Sequence, residues 1–213
     1  MTGPSGRAKQ DMSVTDQKKK QIIEAAIAEF QEKGFAGASM DRISERASVS
    51  KRTVYNHFES KDVLFRDITQ CLIDQLNAAL EIPYDPDQPI ADALIRLGWA
   101  EGELLVNPCF MSLARMIMGE TIRDPEMAAD LEARMTKLSV FEQYMARAID
   151  EGKLAGGDPD LMAQQFLGLI KSRAFFPNMY AARVPDRAEV DRIIKDSVDM
   201  ILARYGSGSQ SGH

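Results

Sequence analysis

Residues 39 to 61, SMDRISERASVSKRTVYNHFESK, constrain this chain more than any other stretch. They read as two very short helices joined by a tight turn. Ser39 is a good N-cap and is followed by Met40, Ile43 and Ala47 at helical spacing. Ala47, Ser48 and Val49 make the turn, and Ser50 caps a second helix whose buried face is Val54 and Phe58. A helix of about two turns does not hold itself together in water, so this one must be docked on a scaffold and kept for its outer face. That face carries Lys51, Arg52, Thr53, Tyr55, Asn56 and His57. Each can donate a hydrogen bond to a phosphate or a base edge, and none is acidic, which is the composition of a helix pressed against DNA.

Charge qualifies that reading. The 213 residues carry a net charge of -6, whereas a stand-alone DNA-binding domain is usually basic. The acidity is not evenly spread: residues 1 to 60 sum to +2 and the remainder to -8. The cations of the first part are clustered at Lys18, Lys19 and Lys20, at Lys51 and Arg52, and at Lys61. A few placed cations can hold phosphates with moderate, salt-sensitive affinity. The triple lysine has two open readings, a solvated charge run and an auxiliary DNA contact.

Apolar residues make up 45% of the chain, with no run of about 18 and no secretory core in the small, polar opening MTGPSGRAKQDMSV. A cytoplasmic globular protein with no membrane contact is expected. Cys71 and Cys109 lack neighbours at metal or redox spacing, so no metal, cofactor or disulfide framework is expected.

No strand-like alternation occurs, and the whole chain reads as helical. A first helix over residues 16 to 33 buries Ile22, Ile23, Ala26, Ile27 and Phe30, and Gly34 stops it. A longer helix from Lys61 to about Leu80 links two regions, and PYDPDQP at residues 83 to 89 ends it. Later starts share a capping side chain followed by proline: Asn107-Pro108, Asp124-Pro125 and Asp158-Pro159. Helices are expected over 90 to 106, 108 to 121, 125 to 152, 159 to 180 and 187 to 204, the last opened by a capping box of Asp186 and Glu189.

Lys33-Gly34-Phe35, then Ser39, Ile43, Ala47, Val49-Ser50, Thr53, Tyr55, His57-Phe58, Ser60-Lys61 and Leu64 together resemble the N-terminal domain of TetR-family transcriptional regulators. The resemblance covers roughly residues 18 to 65. Beyond it, residues 110 to 176 look similar to AcrR-type regulators. It implies an all-α, TetR-like fold of about nine helices. Residues 1 to 14 would be a disordered arm, 15 to 62 a three-helix helix-turn-helix DNA-binding domain, 63 to 205 a helical effector-binding and dimerisation domain, and 206 to 213 a flexible tail.

The same resemblance implies that the helix from Ser50 to Phe58 enters the major groove of double-stranded DNA, with Lys51, Arg52, Thr53 and Asn56 near bases or phosphates. Tyr55 and His57 match positions that hold the sugar-phosphate backbone, and Lys61 matches a phosphate-binding lysine. The capping hydroxyls of Ser39 and Ser50 belong to the same surface. Many members carry glycine where this chain has Arg52; a long cation there either reads guanine or adds a phosphate contact.

Methionines and aromatics in the second region either fill a core or line an adaptable pocket. As a pocket, the candidates for a small-molecule effector are Trp99, Phe110, Met111, Met118 and Phe141, with Tyr144, Met145 and Phe166. Arg173 and Arg115 are the candidate anchors for an anionic group, unless each simply pairs with a surface carboxylate. A short recognition helix covers too few base pairs for specificity, so a homodimer on a palindromic operator is expected. The last two helices are its expected surface, through Leu161, Phe166, Leu169 and Ile170 on one and Val190, Ile193, Ile194, Val198 and Ile201 on the other. A helical-bundle enzyme or carrier is the competing class, but the only histidines are His57 and His213, and no catalytic residues suggest themselves. A ligand-independent DNA-organising protein is the third.

Overall fold

The computed structural model describes residues 14 to 134 and 138 to 207. The expected arm lies outside these apart from Val14, and so does the expected tail apart from Gly206 and Ser207. The described residues are almost wholly helical, with a single isolated bridge between Leu154 and Gly206. In chain order the helices are α1 (Val14–Gly37), α2 (Met40–Arg46), α3 (Lys51–His57), α4 (Lys61–Ala79), α5 (Ile90–Leu105), α6 (Pro108–Thr121), α7 (Pro125–Arg134), α8 (Leu138–Asp150), α9 (Pro159–Ile170), α10 (Phe176–Tyr180) and α11 (Arg187–Tyr205). Two compact units divide the chain between Ile68 and Thr69, inside α4.

The first unit is built around α1. Ile22, Ala25, Ala26 and Phe30 are buried while Ile23 and Ile27 sit half-buried at the stripe's edge. Gly34 takes φ 69°, a left-handed value that costs glycine nothing, and so breaks the helix where its stop was expected. The turn that follows brings Phe35 back against Phe30 and Phe65, with ring centroids 5.2 to 5.8 Å apart. Ile43, Val54, Phe58 and Leu64, all nearly inaccessible, complete this core.

In the second unit α5 and α11 lie close because α5 offers glycine where they touch. A Cβ on Gly98 would stand 2.7 Å from Ile194, and one on Gly102 3.0 Å from Val190. Phe166 and Ile170 of α9 press on the same spot. This packing accounts for most of the apolar residues named for the expected dimer surface. Phe166, Ile170, Val190, Ile193, Ile194, Val198 and Ile201 are buried within one chain, leaving only Leu161 and Leu169 of that set at the surface. Apolar spacing marks a buried face without saying who buries it, and here α5 does.

The two long helices expected over 125 to 152 and 159 to 180 each correspond to more than one helical segment. Residues 125 to 152 form α7 and α8, with residues 135 to 137 outside the described set. α7 buries none of its side chains fully. Residues 159 to 180 pass through a π-helical turn at Lys171–Phe175. Pro177 lacks an N–H for the regular ladder, and Phe176 instead donates to the Lys171 carbonyl five residues back, which absorbs the mismatch without ending the helix. Asp186 caps α11 through the Glu189 N–H at 2.7 Å, but the Glu189 carboxylate turns to Arg183 at 2.8 Å, so the reciprocal half of the expected capping box is not made.

The linker at residues 83 to 89 is tied to the end of α8. Tyr84 donates from its hydroxyl to Glu151 at 2.7 Å, its ring packs on Tyr144, and Lys153 donates to the carbonyls of Pro86 and Gln88. Burial and the Glu151 carboxylate push the Tyr84 hydroxyl well above its ordinary value.

Candidate nucleic-acid interface and effector region

Local rules set the geometry of α2 and α3. The Ser39 hydroxyl accepts from the Arg42 N–H at 3.3 Å, and that of Ser50 from the Thr53 N–H at 3.1 Å while lying 2.8 Å from the Thr53 hydroxyl. Between the helices Ser48 takes φ 54°, Val49 donates to the Ser44 carbonyl, and Ser48 donates to that of Glu45. This is a Schellman ending with serine in the place usually given to glycine. It turns the chain so that α3 buries Val54 and then Phe58 and presents the opposite face outward.

That outward face holds the residues expected there. Lys51, Arg52, Tyr55 and Asn56 are exposed, and Thr53 and His57 are half-buried. Their freedom differs. The Lys51 ammonium is 2.6 Å from the Asp41 carboxylate, which raises it above the ordinary lysine value. Lys61 is turned inward: its ammonium donates to the carbonyls of Phe35 at 2.6 Å and Ala38 at 3.3 Å, and lies 4.5 Å from the centre of the Phe35 ring. It caps carbonyls around the end of α1. Arg52 makes no hydrogen bond or ion pair among the described residues. The triple lysine is exposed, with Lys19 on Asp67 at 2.8 Å and Lys20 3.9 Å from Glu24.

The sequence reading missed what holds α2 in place. Glu29, 1% exposed, receives Arg42 and Arg46, and Arg46 also reaches Glu32 at 2.6 Å. A buried carboxylate persists only when paired, and this one clamps α1 to α2. The signal was present: Glu29 falls seven residues after Ile22 on the apolar stripe, where a charge has no reason to sit unless a partner meets it.

In the second unit, six effector candidates are buried. Phe110, Met111, Phe141, Tyr144, Met145 and Phe166 are each no more than 4% exposed. The Tyr144 hydroxyl is buried without a hydrogen-bond partner among the described residues. The other candidates are elsewhere or peripheral. Met118 is half-buried, Trp99 lies under the Arg187 guanidinium at 4.2 Å, and Arg173 is exposed and paired with Asp196 at 2.9 Å. Arg115 donates to the Met179 carbonyl at 3.0 Å. Arg173 thus has the surface carboxylate that competed with an anchoring role, whereas Arg115 is held by backbone carbonyls instead. Among the described residues two open clefts occur: about 360 Å³ between α9 and α11, lined by Gln165, Gly168, Leu169, Ser172, Met200 and Arg204, and about 300 Å³ beside Thr121 and Leu131. No effector candidate lines either.

Residues 22 to 68 match the family described as bacterial regulatory proteins, tetR family, and residues 92 to 207 match the AefR-like transcriptional repressor C-terminal domain. The chain belongs to the TetR family. Its members are transcriptional regulators that bind DNA, not enzymes. A TetR family transcriptional regulator from Pseudomonas syringae pv. tomato is 37% identical, with a TM-score of 0.78 over 91% of this chain and 99% of that one. The HTH-type transcriptional repressor SCO4008 of Streptomyces coelicolor is 37% identical over 41% of this chain and 45% of its own length. The HTH-type transcriptional regulator RutR of Escherichia coli is 29% identical over 67% of this chain and 66% of its own. The match therefore spans less than two thirds of either curated relative. No helix of the described residues is long and apolar enough to cross a membrane.

Proposed function

We propose that this TetR-family regulator is a dimeric repressor that reads a palindromic operator with α3 and is released by a small, mostly apolar effector. The observation that carries the DNA reading is the division of α3: Val54 fully buried, and Arg52, Tyr55 and Asn56 exposed on the other side. Repression is favoured by the matched C-terminal domain, which is that of a repressor. The dimer reading draws on α9, α10 and α11, where Leu161, Phe176, Tyr180 and Met200 stay exposed and Met200 lines the 360 Å³ cleft. The effector reading draws on the six buried Met and aromatic residues and on the unpartnered Tyr144 hydroxyl, which suits a ligand with one hydrogen-bonding group on an apolar body. Selection of duplexes from a random library by the purified protein tests the first part: one enriched palindrome bound by two copies is expected, and no enrichment overturns it. For the effector, ligand affinity with and without operator must differ by the same factor as operator affinity with and without ligand.

A further inference from the structure

Five cations stand between residues 39 and 61, and four are already engaged. Arg42 and Arg46 belong to the Glu29 clamp, Lys61 to the carbonyls ending α1, and Lys51 to Asp41. Only Arg52 faces outward without a partner among the described residues. For a protein of net charge -6, this leaves the surface built by residues 39 to 61 with little free positive charge. Phosphate attraction works on any sequence, so a surface muted in this way searches DNA weakly and depends on contacts made only at the right site.

Asp41 is the element that decides how Lys51 behaves. It lies on α2, ten residues before Lys51, and its carboxylate meets the ammonium at 2.6 Å as a phosphate oxygen would. Both side chains are more than half exposed, so the pair is not structural in the manner of the Glu29 clamp and either partner can be exchanged. A loosely held, non-specific duplex offers phosphates at a distance across water, which do not displace a contact of that length. A duplex gripped by Arg52, Tyr55 and Asn56 brings a phosphate into contact, and the ammonium can then change partners.

We propose that Asp41 is a specificity-determining residue: it holds Lys51 out of phosphate contact on random DNA and yields it only when α3 is fully seated on the operator. This rests on the DNA reading above. An exposed ion pair supports a factor of up to about five per protomer, hence up to about 25 for a dimer.

The experiment compares wild type, Asp41→Asn, Lys51→Ala and the double variant on a random-sequence duplex and on the duplex the wild type selects, across a salt series. Asp41→Asn is expected to tighten random-duplex binding several-fold and to steepen its salt dependence by about 0.9 per protomer, with a smaller gain on the selected duplex. The same substitution in the Lys51→Ala background should change neither. Equal gains on both duplexes, no gain on the random one, or a gain that persists without Lys51 each overturn the proposal. A wild type that selects no duplex overturns the operator reading itself, while the random-duplex comparison still reports whether Asp41 restrains Lys51. Thermal melts of Asp41→Asn and Asp41→Ser, each expected to stay folded, separate a binding change from a folding one.

Discussion

At the scale of single residues, Lys61 shows how a side chain can be assigned from a pattern and yet be found at other work. Its family position implies a phosphate contact, while its ammonium is spent on the carbonyls of Phe35 and Ala38. Lys61→Ala should therefore lower the melting temperature of the protein without DNA, as well as weakening binding to every duplex. Tyr55→Ala, which removes an exposed ring with no such partner, should weaken DNA binding and leave the melt unchanged; scanning calorimetry beside a mobility-shift titration checks both. Tyr144 makes the converse point. Its hydroxyl has no partner, so Tyr144→Phe should leave stability equal or raise it by up to about 1 kcal/mol while weakening any effector that hydrogen-bonds there. Neither feature was legible beforehand, because a sequence gives a side chain's chemistry but not which of its possible partners reaches it first.

Elements were more legible than contacts, and acid titration offers a way to probe one of the contacts that was missed. The caps at Ser39, Ser50, Asn107, Asp158 and Asp186 all close on backbone N–H groups as their spacing indicates. What was missed was pairing between helices: the Glu29 clamp, whose signal was a charge on the apolar stripe, and the burial of Val190 and Ile194 against α5. Replacing both Arg42 and Arg46 by alanine leaves Glu29 buried and unpaired and should cost about 3–5 kcal/mol, whereas either single change leaves one partner and should cost clearly less. Urea denaturation followed by circular dichroism decides this. Beside the clamp, hydrogen bonds from Lys33 and then Arg46 hold the Glu32 carboxyl down at about 2, against 4.5 when free. A depressed carboxyl stabilises the fold fully above its free value and loses that contribution as pH falls toward its folded one. The stability difference between wild type and Glu32→Gln should thus be constant above about pH 5 and narrow as the pH is lowered toward 3. A difference that widened on acidification would put the carboxylate's partners elsewhere.

For the molecule as a whole, the placement of apolar side chains bears on how two copies of the proposed dimer would meet. The residues that looked most like a dimer seam, Ile193, Ile194, Val198 and Ile201, are nearly inaccessible in one chain, so substituting them tests folding and not assembly. The α9 to α11 surface that remains open carries Leu169 and Met200 across the 360 Å³ cleft, with Gly168 leaving open space above it. An apolar cleft of this kind is buried when the same face of a second copy packs on it about a two-fold axis. Glutamate at both Leu169 and Met200 brings like charges together across such an axis and leaves them in an apolar seam, yet in the single chain both positions reach solvent and tolerate the change. If the proposed dimer forms through this face, the doubly substituted protein should sediment as a folded monomer at concentrations where the wild type sediments as a dimer. A monomer presents one α3 to one half-site, and the coupling between half-sites is lost. Binding to the selected palindrome should then fall to the affinity of an isolated half-site, while that half-site is bound as before. A variant that stays dimeric at every concentration moves the interface off this face, and one that is monomeric but keeps full operator affinity removes the need for a dimer in reading DNA.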